Sequence, residues 1–188
     1  MSVRQISRVK FCVLIPLAFL GLWGSGAFAA VARAPITPAP LERMVVDYPA
    51  DYPAGTIVIQ QSQRRLYLIL GHGTAISYPV AIGKPGKAWT GWAMVKAKYV
   101  NPAWAAPDSV RKDNPDLPKV IAGGAPRNPM GMRALALDLD EIAIHGTAMS
   151  MRASIGSAAS YGCIRMLNEH IVDLYDRVQV GTKVVAIR

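Results

Sequence analysis

Short apolar runs separated by glycine and proline follow one another along the chain from about Gly55 to its end. Short runs that are rich in β-branched residues and bounded by turn residues are typical of β-strands. The pattern therefore predicts a mainly β domain with tight turns. The predicted strands lie at 56–61, 65–70, 74–80, 93–99, 134–139, 141–144 and 183–187.

One segment near the C-terminus has helical spacing instead. If residues 168–178 are helical, Ile171, Leu174 and Val178 share one apolar face. Asn168 suits the N-cap of this helix, because a short polar side chain there accepts a hydrogen bond from the first turn. We therefore expect one or two short helices beside the strands.

Two segments, 30–54 and 100–132, are rich in proline. Proline fixes φ and lacks the backbone donor, so we expect 30–54 to be a tether or an irregular lead-in. The domain then occupies 55–188, and 100–132 is a long insertion without regular structure inside it. Such insertions are more often functional than accidental, so a lid or substrate groove is the hypothesis, with a plain surface loop as the alternative.

The first residues follow a third pattern. Three basic residues and no acidic one precede an apolar run at 11–23, and Ala27 and Ala29 then match the A-x-A cleavage pattern. This layout predicts a signal peptide at 1–29. The alternative, a transmembrane anchor, is disfavoured because the run contains Pro16 and is shorter than the roughly 20 residues that span a bilayer. The protein is therefore expected to be exported.

Composition and charge narrow the function classes. The 188 residues are 52% hydrophobic and 18% charged, which excludes a disordered chain. The formal net charge of +9 suggests a nucleic-acid partner, but cleavage after Ala29 removes three basic residues and leaves +6. The chain also shows no stripe of interleaved aromatic and basic residues, so nucleic acid is not expected as a partner.

Cleavage also removes Cys12 and leaves Cys163 as the remaining cysteine. An unpaired cysteine in an exported protein is a candidate reactive thiol, although an inert buried cysteine or an intermolecular bridge would give the same count. His145 ends a strand-like run, and its imidazole could take the thiol proton and hold the thiolate as an ion pair. A metal site of Cys163, His145 and His170 is disfavoured, because close ligand pairs are missing. His72 lies in a Gly-His-Gly turn and is expected to be solvated.

The residues around this pair resemble a known family. Ile144-His145-Gly146-Thr147, followed by Ser160-Tyr161-Gly162-Cys163-Ile164-Arg165-Met166, is similar to the motif of the L,D-transpeptidase catalytic domains that act on bacterial peptidoglycan. The resemblance covers about 130 residues from Gly55 onward. Two departures are Tyr161, where many members have histidine, and 88–91, where many have Thr-Pro-x-Gly.

The resemblance implies a fold and a set of site residues. The fold is a mainly β, L,D-transpeptidase-type sandwich of mixed sheets with one or two short helices. Cys163 is the nucleophile, His145 the acid and base, and the Gly146 carbonyl orients the imidazole. The oxyanion hole is formed by the backbone N–H groups of Tyr161, Gly162 and Cys163, and the candidate substrate-binding residues are Arg165, Ser160 and Thr147. Arg165 could either bind a substrate carboxylate or brace the loop through an ion pair.

The resemblance also implies a reaction. A periplasmic monomer forms 3→3 cross-links between peptidoglycan stem peptides through a Cys163 thioester, with no metal or organic cofactor. Other acceptors for the same thioester are a lysine of an outer-membrane protein, water in an L,D-carboxypeptidase, or a free D-amino acid. A papain-like endopeptidase is disfavoured by the order of histidine and cysteine, and a non-catalytic envelope-binding module is the remaining alternative.

Overall fold

Twelve strands, two α-helices and one 3-10 helix follow one another in residues 41–188, the part of the chain that the computed structural model describes. The predicted signal peptide, 1–29, and residues 30–40 of the lead-in lie outside the described residues. The first strands are β1 (Met44–Asp47), β2 (Ile57–Gln60), β3 (Arg65–Gly71), β4 (Thr74–Gly83), β5 (Gly91–Val100) and β6 (Trp104–Ala105). They are followed by α1 (Asp108–Asp113), β7 (Val120–Ile121), β8 (Arg133–Leu137), β9 (Ala143–His145), the 3-10 helix Met149–Ser154, β10 (Ala158–Ser160), β11 (Ile164–Met166), α2 (Asn168–Arg177) and β12 (Lys183–Ile187).

Two mixed sheets share the long strands β4 and β5. One sheet continues from β4 through β3, β2 and β12 to β5, and the other from β4 through β11, β9 and β8 to β5. Pairing is antiparallel except where β12 meets β2, β11 meets β9 and β10 meets β4. The predicted mainly β class with few short helices is thereby confirmed.

A single large apolar core collects the inward side chains of both sheets. Alternation along β2 places Ile57 and Ile59 in this core, whereas Val58 packs in a smaller cluster on the opposite face. Helix α2 contributes Ile171 and Leu174, both fully buried. Burial of one such side chain contributes about 1.5–3 kcal/mol, so the apolar face of α2 holds the helix against the sheets.

Helix α2 begins differently from the prediction. The residue at its N-cap is Leu167, whose side chain makes no capping hydrogen bond, and Asn168 is the first helical residue. The prediction of Asn168 as N-cap was wrong because its side-chain amide bonds other segments of the chain. No helix within 41–188 is long and apolar enough to cross a membrane.

Part of the lead-in is regular. Strand β1 pairs antiparallel with β4, and Tyr48 and Tyr52 then pack on the outer cluster around Val58. The expectation of an irregular segment fails here because residues 41–48 contain no proline and keep every backbone donor.

The proline-rich insertion also contains regular elements. Strands β6 and β7 pair with each other, and α1 starts directly after Pro107 in a stretch free of proline. The amide of Asn128 donates to the carbonyls of Pro102, at 2.8 Å, and Ala122, at 2.9 Å, and so ties the two ends of the insertion together. The expectation of a structureless insertion was therefore wrong for these residues.

Candidate active site

Two adjacent strands carry the cysteine and the histidine of the motif. Strands β9 and β11 run parallel, with Ile144 opposite Ile164 and His145 opposite Arg165. Successive side chains of a strand point to opposite faces, so the two isoleucines enter the core while His145 and Arg165 share the other face. Cys163 precedes β11 and lies near this second face.

A cavity of about 800 Å³ opens above these residues. Cys163, His145, Arg165, Ser160 and Tyr161 line it, so the structure brings together most of the residues that the motif singled out. The insertion forms much of the remaining wall, through Trp104, Pro107, Val110, Arg127, Pro129 and Met130. The insertion therefore shapes the groove above Cys163, and its movement as a lid stays a prediction.

The imidazole of His145 is buried, with 4% of its surface exposed. Its Nδ1 lies 2.7 Å from the carbonyl oxygen of Gly146. A carbonyl only accepts hydrogen bonds, so Nδ1 carries the proton and Nε2 keeps its lone pair. The ring is thus held in the tautomer that can accept a proton from a thiol.

Burial sets the charge state of the pair. It lowers the pKa of His145 to about 4, and the cation of Arg165 acts in the same direction, against hydrogen bonds to the backbone of Gly146 and Pro129. Burial also raises the pKa of the Cys163 thiol. Both shifts favour the neutral forms of the thiol and the imidazole over the thiolate–imidazolium ion pair.

The loop before Cys163 is braced by Ser160. Its hydroxyl donates to the carbonyl of Cys163 at 2.6 Å and accepts the N–H of Gly162 at 3.1 Å. Ser160 is 1% exposed, so its side chain is committed to the loop although it borders the cavity. The thiol itself donates to the carbonyl of Glu141, 3.4 Å away.

These contacts bear on the predicted oxyanion hole. The N–H of Gly162 is occupied by Ser160, so it is not available to a substrate in this conformation. The remaining two of the three expected donors are the backbone N–H groups of Tyr161 and Cys163. Backbone donors held by a rigid turn stabilise a developing oxyanion because they need no reorganisation during the reaction.

A side chain at Gly162 would strain the turn before Cys163. Its φ is +131°, and a Cβ would lie 2.6 Å from Cδ1 of Ile142. We expect Gly162→Ala to lower the free energy of unfolding by about 1–3 kcal/mol and to reduce turnover roughly tenfold to a hundredfold, because the flanking N–H groups shift. Chemical denaturation and initial rates measure the two effects.

The matched control is Gly156→Ala. Gly156 has a φ of +87°, but a Cβ there meets nothing within 4 Å. The substitution Gly156→Ala therefore measures the conformational cost of a positive φ alone, about 1 kcal/mol, and should leave turnover intact. Equal effects of the two substitutions on turnover would contradict a special role for the turn at Gly162.

Arg165 lines the cavity without a carboxylate partner among residues 41–188. The bracing ion pair considered from the sequence is therefore absent from this part of the chain. Thr147, by contrast, is 2% exposed and does not line the cavity. Its backbone is bonded by Asn168, so the structure places Thr147 behind the site rather than in the groove.

Tyr161 connects the loop before Cys163 to the insertion. Its hydroxyl donates to the carboxylate of Asp113 at 2.5 Å, and the Nζ of Lys84 lies 3.7 Å from the centre of its ring. Lys84 also approaches Asp113 at 3.6 Å. The phenol therefore contacts α1 of the insertion, in the position where many members of the resembling family have an imidazole.

The other two histidines lie apart from the pair. His170 packs against Tyr78, with ring centres 5.8 Å apart, and His72 is exposed in its turn. Within 41–188, no group of three histidine, cysteine or acidic residues is arranged to hold a metal ion.

Glu141 and Asp113 were not predicted from the sequence as residues of the site, and Asn168 was predicted as the N-cap of α2 instead of as a residue of the site. Glu141 offers a backbone carbonyl rather than its side chain, so residue type gives no signal for it. Asp113 reaches Tyr161 from 48 positions away in the chain. For Asn168 the signal was present, since it lies two positions after the end of the motif, but its role was interpreted as that of an N-cap.

Comparison with known proteins gives a consistent assignment. The family model of the L,D-transpeptidase catalytic domain (YkuD) matches residues 54–185. The probable L,D-transpeptidase YbiS of Escherichia coli K12 is 38% identical over 137 residues, which are 68% of this chain and 43% of that protein. The chain thus spans less than half the length of this relative.

Two solved structures extend the comparison. The L,D-transpeptidase from Mycobacterium smegmatis is 18% identical with a TM-score of 0.56, and the match covers 71% of this chain and 58% of that one. At that identity the likeness concerns the fold alone. A protein from Brucella melitensis, named a probable carnitine operon oxidoreductase, is 39% identical with a TM-score of 0.53, and the match covers 81% and 96% of the two chains.

Proposed function

The chain belongs to the family of L,D-transpeptidase catalytic domains, and we propose that it is a periplasmic enzyme that forms 3→3 cross-links in peptidoglycan through a thioester on Cys163. The observation that carries the proposal is the shared cavity of Cys163 and His145, with the imidazole held in the proton-accepting tautomer by Gly146. A nucleophile beside an oriented base is the arrangement that acyl transfer requires.

In the first step, the Sγ of Cys163 attacks the carbonyl carbon of the third stem-peptide residue, at its bond to the terminal D-alanine. His145 takes the thiol proton as the S–C bond forms. The C–N bond then breaks, and the same proton passes to the departing amine of D-alanine. The N–H groups of Tyr161 and Cys163 hold the carbonyl oxygen while it carries negative charge.

In the second step, the side-chain amine of a second stem peptide attacks the thioester carbonyl. His145 now accepts a proton from the amine as the new C–N bond forms, and returns it to the sulfur as the C–S bond breaks. The chain regains its neutral thiol and imidazole, so one turnover needs no external oxidant, reductant or cofactor.

Arg165 gives the groove a site for a carboxylate. Its guanidinium lines the cavity without an ion-pair partner in the described part of the chain, and a guanidinium binds a carboxylate through two parallel hydrogen bonds. Stem peptides carry free carboxylates near the reacting bond, so we assign Arg165 to donor binding. Ser160 and Thr147, which the sequence analysis also assigned to substrate, are proposed to shape the loops behind the site.

The test is incubation of the purified protein with disaccharide tetrapeptides, followed by separation and mass spectrometry. We expect a dimer with the mass of two tetrapeptide units less one D-alanine, and one equivalent of free D-alanine. Tripeptides without dimer would identify water as the acceptor, and a product formed only with added outer-membrane protein or D-amino acid would identify those acceptors. Unchanged tetrapeptides with folded protein would contradict the proposal and favour a binding module.

A further inference from the structure

We infer that Asn168 is the residue that positions His145, by fixing the peptide unit whose carbonyl orients the imidazole. Asn168 lies at the start of α2 and does not line the cavity. Its side chain therefore acts on the reaction through the backbone of the His145 loop and not through the substrate. The inference deepens the proposed function, and its kinetic part depends on that function.

Both the oxygen and the nitrogen of the Asn168 amide bond the backbone, and together they reach two loops. Its Oδ1 accepts the N–H of Met132 at 3.0 Å and the N–H of Thr147 at 3.3 Å, and its Nδ2 donates to the carbonyl of Thr147 at 3.0 Å. A side chain must both accept and donate to make this set, which an amide does at this length. The three backbone groups would lose their partners together if the amide were removed.

The link to His145 passes through one peptide unit. The carbonyl of Gly146 and the N–H of Thr147 belong to the same planar peptide bond and point in opposite directions. When Asn168 Oδ1 holds the N–H on one side, the carbonyl is directed to the other side, where it meets Nδ1 of His145 at 2.7 Å. Rotation of this peptide plane would remove the acceptor that fixes the tautomer of the ring.

Close packing enforces the same geometry. The N–H of Gly146 donates to the carbonyl of Arg133 at 3.0 Å, so the preceding peptide unit is fixed as well. A Cβ at Gly146 would overlap Oδ1 of Asn168, which shows that the amide lies directly against this residue. Gly146 and Asn168 are therefore packed against each other, and neither can move without displacing the loop after His145.

The second loop held by Asn168 also reaches the histidine. Met132 follows Pro129 by three residues, and the backbone of Pro129 is close enough to the imidazole to oppose the lowering of the pKa of His145 by burial. One side chain thus anchors both segments whose backbone carbonyls surround the imidazole.

The experiment compares Asn168→Ala and Asn168→Asp in the full chain. Asn168→Ala should lower kcat by roughly tenfold to a hundredfold with less than about a threefold change in KM, because the base is misoriented while the groove is retained. Asn168→Asp keeps the two accepting contacts and loses the donation to Thr147, so its kcat should fall less. A loss confined to KM would overturn the inference.

A measurement without substrate separates this inference from the proposed function. In nitrogen-edited NMR spectra, the side-chain Nδ1–H of His145 should give a slowly exchanging signal in the parent protein that is lost or shifted in Asn168→Ala. Glu169→Gln is the matched control, since Glu169 is the next residue of α2 and forms an ion pair with Arg152 on the surface. It should leave the signal and kcat unchanged. An unchanged signal in folded Asn168→Ala and folded Asn168→Asp would overturn the inference even if the protein proved to have another activity.

Discussion

Cys163→Ala is expected to abolish cross-linking, with a loss of roughly 10⁴-fold or more in kcat, since removal of a covalent nucleophile leaves only binding and oxyanion stabilisation. No other cysteine is present among residues 41–188 to replace it. The measurement is the initial rate of dimer formation from tetrapeptides, quantified by mass spectrometry. An acyl adduct should form on the parent protein and be absent from the variant.

The variant should remain folded. The side chain of Cys163 is half-buried, and its thiol donates a hydrogen bond to the carbonyl of Glu141 at 3.4 Å, a weak type of contact for an S–H group. Loss of this weak contact and of one sulfur atom costs about 1 kcal/mol or less, far below what unfolds a domain. Cys163→Ser is the companion variant, because it retains a hydrogen-bond donor and loses the nucleophilic thiolate. Dimer formation by the folded alanine variant at the parent rate would place the nucleophile elsewhere.

The strands could be predicted from the sequence because each one needs apolar residues at its buried positions, and these residues form a recognisable run. Residues 57–60, 65–71 and 183–187 follow the predicted runs closely, and their apolar positions enter the two clusters. The pairing of β12 between β2 and β5 was not predictable in this way. Strand order depends on contacts between distant segments, which local periodicity does not record.

The lead-in and the insertion show why proline content misled the prediction. Composition averages over a segment, whereas a strand or a helical turn needs only a few consecutive residues with free backbone donors. Residues 44–47 and 108–113 are such stretches between prolines. Both elements are short, and tertiary contacts rather than intrinsic propensity stabilise them.

For the site, residue type and spacing singled out Cys163 and His145, because few side chains can act as a nucleophile or as a base at neutral pH. The family resemblance supplied the carbonyl of Gly146 as the partner of the imidazole, and that contact is present. The contacts of Ser160 and Asn168 were not predicted, because hydrogen bonds to the backbone can be made by many residue types. The charge state of the pair also depends on burial, since the low pKa of His145 follows from its 4% exposure.

His145→Gln is expected to lower kcat by roughly 10²–10⁴-fold, the usual contribution of a general acid and base. Glutamine has a similar length and can still donate to the carbonyl of Gly146, so the loop should keep its geometry while proton transfer is lost. Rates of dimer formation and thermal unfolding of the variant test the two parts. His170→Gln is the matched control, because His170 is also buried with a lowered pKa but lies against Tyr78, outside the cavity.

The dependence of kcat/KM on pH tests whether His145 is the base. Since the pKa of His145 is lowered from 6.5 to about 4, the imidazole of the free enzyme stays unprotonated and competent as a base through mildly acidic conditions. The value of kcat/KM should therefore hold as the pH falls below 6.5 and decline only towards pH 4. Between these two pH values the unfolded chain binds a proton that the folded chain excludes, so the free energy of unfolding decreases as the pH is lowered from 6.5 towards 4. His145→Gln should remove the part of this pH dependence that comes from His145. A decline of kcat/KM centred at or above pH 6.5, or a similar loss of turnover in His170→Gln, would contradict His145 as the buried base.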